Sequence, residues 1–254
     1  MKALVDADSL LYKVGFAIEE KIVWNEAEVN AGLEEEYDIE YDTNLDQCYK
    51  TFDQLIDTML HVTDCDDVFL VFTGAGNFRT EFPLDYKAHR KNNRKPEGYH
   101  EILAYAKENY DTYTAEGMEA DDFVVYLKAT EPEDWILCAI DKDVLYQSEG
   151  THYNYHHWDE ITVTKEEAIR YAYYQTLTGD TSDGYKGVKG IGPKKADAIL
   201  EGCTTEHEMW QAVLAAYDSK GQTEEEALWT MRLAQMHQFD GNEINLWEPP
   251  IAPN

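Results

Sequence analysis

The sequence contains few cysteines, few basic residues and no long apolar run. None of its four cysteines forms a C-x-x-C pair, so we expect reduced thiols rather than a disulfide framework or a zinc site. The longest apolar runs, such as Val68–Phe72 and Trp135–Ile140, are too short to span a membrane. The start of the chain matches a strand pattern rather than a signal peptide, so a cytoplasmic location is expected.

The shortage of basic residues is large: 21 Lys and Arg stand against 51 Asp and Glu, which gives a formal net charge of −30. Taken alone, this balance argues against nucleic-acid binding, because phosphate binding requires cations. The basic residues are unevenly distributed, however, since ten of them lie in two stretches, 79–95 and 186–195. The acidic run at 34–42, by contrast, indicates a solvated loop or hairpin.

With 254 residues, the chain can form one large domain or a core with a smaller appendage. Three short apolar runs, "ALVDAD", "VFLVFTGAG" and "WILCAIDKD", stop at polar or small residues and predict buried strands. Helical patterns lie between them at Leu45–His61, Tyr99–Asn109 and Ala120–Ala129. This alternation predicts an α/β fold with a central, mostly parallel, twisted sheet flanked by helices.

From Lys165 onward the pattern is mainly helical. It predicts four helices, at Lys165–Thr178, Pro193–Glu201, Thr205–Tyr217 and Glu224–His237. A final piece, "EINLW" at 243–247, predicts a short edge strand. We therefore expect an α/β core at 1–164, a helical subdomain at 165–240 and a tail at 241–254 that returns to the core.

Carboxylates occur where these elements begin or end. The set comprises Asp6, Asp8, Glu119, Asp121, Asp122, Asp141, Asp143, Asp180 and Asp183. The carboxyl ends of parallel strands meet at one edge of a sheet. The helix dipole explains any single acidic cluster at a helix N-terminus, but several clusters at one edge would repel each other. Hard divalent cations such as Mg²⁺ remove that conflict, so the pattern predicts a metal-binding cluster.

The stretch "GDTSDGYKGVKGIGPKKADAIL" at 179–200 combines glycines and lysines directly after two of these acids. Glycines at 187, 190 and 192 allow backbone amides to approach a phosphate closely. Pro193 suits the first position of a helix whose N-terminus would face that anion. The neighbouring lysines add attraction without reading bases. The alternative is a tight turn with exposed lysines.

The order of the motifs resembles the 5′→3′ exonuclease and flap endonuclease superfamily, which includes the 5′-nuclease domain of bacterial DNA polymerase I. The pieces that carry the resemblance are "LVDADSLLYK" at 4–13, "NFRTEFPLDYKAHR" at 77–90, "EADD" at 119–122, "AIDKD" at 139–143 and "GDTSDGYKGVKGIGPKKA" at 179–196. Within the superfamily, "DYKAHRKNNRKPEGYHEIL", the "GDxxDGY" form and "MRLAQMHQFDGNEINLW" look most like the exonucleases of short-tailed phages.

The resemblance implies a PIN-like 5′-nuclease core with a helical arch at about 79–110 and a helix–three-turn–helix element at about 179–200. It also implies two metal sites. Asp6, Glu119, Asp121 and Asp122 match one group, and Asp141, Asp143, Asp180 and Asp183 match the other. The implied cofactors are two Mg²⁺ ions, for which Mn²⁺ can substitute, and a K⁺ ion at main-chain carbonyls of the helix–three-turn–helix.

Lys87 and Arg90 match basic residues of the arch that holds single-stranded 5′ ends, and with Asp121 and Asp141 they are the expected catalytic residues. Tyr86 is expected either to stack on an unpaired base or to have a packing role. The full set of expected DNA contacts is Arg79, Tyr86, Lys87, Arg90, Lys91, Arg94, Lys186, Gly187, Lys189, Gly190, Gly192, Lys194 and Lys195.

The implied activity is that of a metal-dependent 5′→3′ exodeoxyribonuclease that acts on 5′ ends of duplex DNA, on RNA–DNA hybrids and on 5′ flaps. The implied location is the host cytoplasm, where the protein would act in phage DNA replication and recombination and in host DNA degradation. The implied partners are phage replication proteins, and no membrane is involved. The sequence leaves open whether exonuclease or flap endonuclease activity dominates.

One departure from the family keeps an alternative open. The family commonly has an acid shortly after the second strand, where this chain has Gly74, and either Asp8 or water is expected to fill part of that coordination. If neither does, the chain is a DNA-end-binding module that has lost catalysis. A further rival, an acidic DNA mimic, explains the net charge but not the ordered motifs.

Overall fold

The computed structural model describes residues 1–32, 36–90 and 93–252. In chain order the elements are β1 (Lys2–Asp6), α1 (Asp8–Ile18), β2 (Glu20–Val23), α2 (Glu26–Asn30), β3 (Ile39–Asp42), α3 (Leu45–Thr63), β4 (Asp67–Thr73), α4 (Tyr99–Asn109), β5 (Asp111–Ala115), α5 (Ala120–Thr130), β6 (Trp135–Ala139), α6 (Lys142–Tyr146), β7 (Gly150–Asn154), β8 (Asp159–Val163), α7 (Lys165–Thr178), β9 (Gly179–Asp180), β10 (Tyr185–Lys186), α8 (Pro193–Leu200), α9 (Glu206–Asp218) and α10 (Glu224–Ala234). Within these ranges no helix is long and apolar enough to cross a membrane.

Six strands form one sheet in the order β5-β4-β1-β6-β7-β8. All neighbours are parallel except the β7–β8 pair at one edge. This confirms the predicted α/β fold with a mostly parallel sheet. Because β1 lies between β4 and β6, the acids that follow β1 and β6 emerge at the same edge.

Alternate residues of β1 face opposite sides of the sheet, as the period of a strand requires. Ala3 and Val5 pack with α1, α3 and α4, whereas Leu4 packs with α5 on the other face. Leu4 and its neighbours are fully buried, so β1 is enclosed on both faces. The ends of β1 and α5 are therefore held by two hydrophobic layers, and this fixes where their acids point.

The four helices α7–α10 pack around their own apolar cluster, which includes Tyr173, Trp210 and Met231. Their positions confirm the helical predictions after Lys165, except that α10 ends at Ala234 rather than His237. The backbone of Gln235 is extended. The guanidinium of Arg79 donates hydrogen bonds to the carbonyl groups of Leu233 and Gln235 at this end of the helix.

The predicted edge strand at 243–247 is wrong. Only an isolated bridge joins Phe239 and Ile244 there. Ile244 packs against the core cluster beneath α5, while Trp247 packs on Trp210 at 4.9 Å between ring centroids. The tail therefore contacts both the core and the helical cluster through side chains instead of adding a strand.

Two other surface predictions can be compared with the structure. The described part of the acidic run belongs to an antiparallel hairpin of β2 and β3, which confirms the loop-or-hairpin prediction; residues 34 and 35 lie outside the described ranges. In the arch region, short 3-10 turns at Phe78–Glu81 and Ala88–Arg90 precede α4.

All four cysteines are free, as expected.

Candidate functional site

Five of the predicted acids line one cleft at the carboxyl edge of the sheet, with a volume of about 320 Å³. We call it the carboxylate cleft; its acids are Asp6, Asp8, Glu119, Asp121 and Asp141. They come from the end of β1, the start of α1, the start of α5 and the residue that caps α6. Lys87 and Arg90 line the same cleft. The chain thus brings together acids that lie more than 130 positions apart in the sequence.

The first strand end is held by specific contacts. The hydroxyl of the buried Tyr155 donates a hydrogen bond to the Asp6 carbonyl at 2.8 Å. The Asp8 carboxylate accepts a hydrogen bond from the backbone N–H of Thr73, at 3.2 Å from both oxygens. Asp8 therefore places a carboxylate over the end of β4, the strand after which the family acid is missing.

Asp143, Asp180 and Asp183 form a second group with Asp141 beside the carboxylate cleft. Asp141 accepts from the backbone N–H of Asp143 at 2.8 Å, which begins α6. Asp180 accepts from the backbone N–H of Ser182 at 2.7 Å and pairs with the Lys142 ammonium at 2.6 Å. Asp183 connects the two groups, because its carboxylate lies 3.6 Å from the Lys87 ammonium.

Lys87 is the central cation of the site. Its ammonium lies 2.6 Å from the Glu119 carboxylate, and its backbone N–H donates to the Asp183 carbonyl at 2.7 Å. The residue has a φ of +49°, a left-handed conformation that is unfavourable for a side chain other than glycine. Such strain persists only where surrounding contacts impose it, and it is frequent at functional sites.

The acids experience opposite electrostatic environments. Burial, together with Asp8 and Asp141, raises the pKa of Asp6 to about 8. Burial and the negative charges of Asp6 and Asp141 raise the pKa of Asp121 well above its usual range. Although burial opposes it, the charges of Lys87 and Arg79 hold the pKa of Glu119 below its ordinary value. At neutral pH, Asp6 therefore favours protonation unless more positive charge is supplied.

The residues present fit a divalent cation by the chemistry of their donors. Carboxylate oxygens are the ligands that Mg²⁺ prefers. Burial, together with the charges of Asp8 and Asp141, raises the pKa of Asp6, and a cation at this place would relieve that conflict. Among the described residues no three acids already converge as metal ligands. Lys87 and Lys142 contact Glu119 and Asp180 instead, so ligation requires rotation of these side chains.

Arg79 and Asp122 occupy positions different from those predicted. The Arg79 side chain has no exposed surface, and two of its nitrogens each lie 2.7 Å from an Asp122 oxygen. Its guanidinium also donates to the carbonyls of Leu233 and Gln235 at the end of α10. The Arg79 guanidinium is therefore buried away from the surface, and both Asp122 oxygens are engaged by it. The pair instead connects α5 to the helical subdomain.

The ring of Tyr86 is buried, which does not fit the predicted stacking on an unpaired base. Its hydroxyl donates to the Glu119 carboxylate at 2.6 Å and approaches Asp183 at 3.3 Å. Tyr86 thus orients acids inside the site. Sequence reasoning missed this contact because a tyrosine within a basic stretch gives no sign of which end of its side chain is buried.

The other predicted DNA contacts are placed as follows. Arg90 is exposed and reaches Asp183 at 3.0 Å. Arg94 is paired with Glu19 at 2.5 Å and lies over the Tyr41 ring. Lys91 lies outside the described ranges. Lys186, Lys189, Lys194 and Lys195 are exposed on the turn before and at the start of α8. Gly190 is also exposed and Gly192 is half-buried, and an added Cβ at either glycine would meet open space.

Gly187 differs from the other glycines of this turn. It is buried, and an added Cβ would lie 2.4 Å from the Gly179 nitrogen and from the Leu177 carbonyl oxygen. The glycine is therefore required for close packing against the end of α7 and not for the approach of a phosphate. Gly187 lies on the buried side of the turn.

Packing also explains why residue 74 is a glycine. An added Cβ would lie 2.5 Å from a Glu116 carboxylate oxygen, and the other Glu116 oxygen accepts from the backbone N–H of Ala75 at 2.8 Å. Glu116 fills the space that a side chain at 74 would need. Glu116 does not line the carboxylate cleft, whereas Asp8 does.

The fold is shared with solved structures of 5′-nucleases. A structure of the bacteriophage T5 D15 protein co-crystallised with metal ions matches with a TM-score of 0.64 at 14% identity, covering 93% of this chain and 89% of that one. The catalytic core of Rad2 in complex with DNA matches with a TM-score of 0.53 at 16% identity, over 91% of this chain and 72% of that one. These likenesses define the class of fold, a 5′-nuclease core.

Sequence relatives identify the family. The exonuclease of Escherichia phage T7 is 30% identical over 230 residues, which cover 72% of this chain and 74% of that protein. The flap endonuclease Xni of Vibrio parahaemolyticus is 35% identical over 137 residues, which cover 48% of this chain and 53% of that protein. No protein-family model matches the sequence. The chain belongs to the 5′→3′ exonuclease and flap endonuclease family, which confirms the resemblance found in the motifs.

Proposed function

We propose that the chain is a metal-dependent 5′→3′ exodeoxyribonuclease that hydrolyses phosphodiester bonds from the 5′ ends of duplex DNA. The observation that supports this proposal most strongly is the convergence of Asp6, Asp8, Glu119, Asp121 and Asp141 in one cleft that also contains Lys87 and Arg90. Acids alone would suit a cation site, and bases alone would suit a phosphate. Their combination suits a metal-assisted reaction at a phosphate.

The proposed cofactors are two Mg²⁺ ions, for which Mn²⁺ can substitute. Asp6, Asp8, Glu119 and Asp121 would hold one ion, and Asp141, Asp143, Asp180 and Asp183 would hold the other. When bound, such ions activate a water and stabilise the leaving oxygen of the displacement. Asp122 is left out of this set, because Arg79 occupies both of its oxygens.

Lys87 and Arg90 have a separate task in this proposal. In the structure, Lys87 forms an ion pair with Glu119, and Arg90 forms one with Asp183. Where those acids are neutralised by a cofactor, the two side chains become available to the non-bridging oxygens of the scissile phosphate. There they would stabilise the negative charge that develops during hydrolysis. Tyr86 and the strained backbone of Lys87 keep this arrangement in place.

The exposed turn at 186–195, which we call the lysine turn, is proposed to hold the duplex through its phosphates. The N-terminus of α8 begins with Pro193 and supplies backbone N–H groups toward an anion. Lys186, Lys189 and Lys194 add positive charge on the same surface. Elsewhere the large negative charge repels DNA, so the duplex is directed to the lysine turn and the carboxylate cleft. A K⁺ ion at main-chain carbonyls of this turn belongs to the same proposal.

The substrate range is proposed more widely than duplex DNA. RNA strands in RNA–DNA hybrids and 5′ flaps would be cleaved in the same carboxylate cleft. The proposed processes are phage DNA replication and recombination and the degradation of host DNA. They would take place in the host cytoplasm, with phage replication proteins as partners. The end-binding alternative depended on Gly74, and the position of Asp8 over the end of β4 favours the nuclease.

The test uses a duplex with a label at its 5′ end, incubated with Mg²⁺ or with EDTA. We expect label to be released as mononucleotides or short oligonucleotides only with Mg²⁺, and Asp141→Ala to abolish release. Asp218→Ala, which changes an exposed acid at the end of α9, is the matched control. Binding without cleavage under Mg²⁺ and under Mn²⁺ would refute the nuclease and favour the end-binding module.

A further inference from the structure

Three tyrosines form a row on the surface beside the second group of acids. The rings of Tyr146 and Tyr171 are stacked, with centroids 5.3 Å apart and planes at 29°. Tyr171 and Tyr174 continue the row at 5.8 Å and 22°. Together they line a cleft of about 620 Å³, which we call the tyrosine cleft.

Packing does not account for this row. Tyr146 is 40% exposed, and neither Tyr146 nor Tyr171 joins a hydrophobic cluster of the described residues. Only Tyr174 packs partly against the helical cluster. Within the described ranges, the hydroxyls of these three tyrosines have no hydrogen-bond partner, in contrast to those of the buried Tyr155 and Tyr217. Aligned, partly exposed rings of this kind form a platform that can receive another flat ring.

The location of the cleft connects it to the proposed DNA path. Its walls include both Asp180 and Pro193, the first residue of α8. Lys142 lies in the same wall, with its ammonium 2.6 Å from Asp180. A strand that runs between the catalytic acids and the lysine turn therefore passes the tyrosine row.

The wall formed by α7 and α8 is firmly held. The guanidinium of Arg170 donates to the carbonyls of Leu200 and Asp197 at the end of α8, at 2.6 and 3.0 Å. These contacts fix the two helices that carry Tyr171 and Pro193 relative to each other. The platform is thus organised before any ligand arrives, which lowers the cost of binding.

The charges around the cleft select among ligands. Its cations, Lys142 and Arg170, are bound to Asp180 and to backbone carbonyls, while Glu167 and Asp197 also line the walls. Such a surface does not favour a phosphate group. It suits an uncharged aromatic ring, and every nucleobase offers a face of that kind.

We propose that the tyrosine cleft binds one unpaired DNA base next to the cleavage site by stacking on the exposed ring of Tyr146, which the ring of Tyr171 supports from its other side. The inference rests on the proposed function, because that function brings DNA to Asp180 and α8. Stacking on aromatic side chains tolerates every base, so the site would hold a strand in place without reading its sequence. Its loss should weaken binding of a DNA with an unpaired terminal base by about ten-fold.

The experiment uses duplexes that carry a single unpaired 2-aminopurine at the 5′ end or at the 3′ end, bound in EDTA so that no cleavage occurs. We expect quenching of the 2-aminopurine fluorescence for one of these duplexes. Tyr171→Leu and Tyr146→Leu should abolish the quenching and weaken binding, whereas Tyr171→Phe should retain both because the ring remains. Tyr113→Leu is the matched control, since Tyr113 is also 40% exposed and lies on β5 at the far edge of the sheet.

The outcomes separate the two proposals. Binding of the duplexes without quenching at either end, or quenching that survives both leucine variants, would overturn the tyrosine cleft while leaving the nuclease intact. An equal loss in Tyr113→Leu would show that the effect is not local and would overturn it as well. Failure to bind any duplex would overturn the proposed function and this inference with it.

Discussion

The carboxylate cleft and the lysine turn both concentrate charge, but they do so in opposite ways. In the carboxylate cleft, side chains such as Glu119 and Lys87 are partly buried and lie at defined short distances from each other. On the lysine turn, Lys186, Lys189 and Lys194 are exposed, and none has an ion-pair partner in the part of the chain that the structure describes. Charges of the first kind depend on position, and charges of the second kind act through their summed field.

This difference predicts which substitutions matter. A change in the cleft alters a defined contact in a region of low dielectric, so its effect should be large and specific. A change on the lysine turn removes one of several similar charges in water, so its effect should be small and sensitive to salt.

The largest effect is expected for Lys87→Ala. Removing the cation that would neutralise the scissile phosphate should lower the single-turnover rate of DNA cleavage by about 100- to 1000-fold. Lys95→Ala is the control, because Lys95 lies in the same basic stretch but rests over the Tyr99 ring. A rate within a few-fold of the unmodified protein would remove Lys87 from the catalytic set.

Arg79→Ala should cause the next largest effect, on stability. It leaves Asp122 buried without its partner, and breaking a buried pair in this way costs about 3–5 kcal/mol of unfolding free energy. Lys2→Ala, which breaks the exposed pair with Asp67, should cost at most about 1 kcal/mol. Urea denaturation measures both.

The same comparison distinguishes the two roles considered for Asp122. If Asp122 serves only as the partner of Arg79, then Asp122→Asn should destabilise the protein without changing the Mg²⁺ concentration required for half-maximal cleavage. An increase in that concentration, measured alongside stability, would restore Asp122 as a metal ligand.

The pH dependence of stability should report the buried acids of the cleft. The pKa of Asp6 rises from 3.8 to about 8 on folding, so between these values the folded state binds more protons than the unfolded state. Stability of the metal-free protein should therefore fall as pH rises through this window. Asp143, whose pKa burial and Asp141 raise to about 7, acts in the same direction.

Denaturation in EDTA at pH 5, 7 and 9 tests this dependence, and Asp6→Asn should reduce the slope. Glu119 and Asp180, whose pKa values are lowered, do not interfere, because they contribute only below about pH 4.5. His152 and His237, whose pKa values burial lowers, act in the opposite direction only below about pH 6.5, so stability that increases from pH 7 to 9 would contradict the assigned environment of Asp6.

The smallest effect is expected on the lysine turn. Lys189→Ala and Lys194→Ala should each weaken duplex binding several-fold at low salt and reduce the slope of log affinity against log salt by about 1. The cleavage rate at saturating DNA should not change. A loss of rate, measured in single turnovers, would mean that these lysines act in the reaction itself.

Much of the fold could be read from local pattern. The strands that became β1, β4 and β6 and the helices α3, α4, α5 and α7 lie where apolar period and capping residues place them. The edge strand at 243–247 could not be excluded in this way. The apolar side chain of Trp247 packs on Trp210, and the segment does not pair in a sheet. A short apolar run does not reveal which neighbour buries it.

The sequence by itself determined the α/β core and the family, because strand period, helix caps and motif order are local properties of the chain. Only the tertiary structure decided which charged residues are partners. Arg79 and Asp122 are 43 positions apart, and nothing near either residue shows that both are buried together. The roles of Tyr86, Gly187 and Asp8 were decided in the same way, because burial and distance between remote residues exist only once the layers have packed.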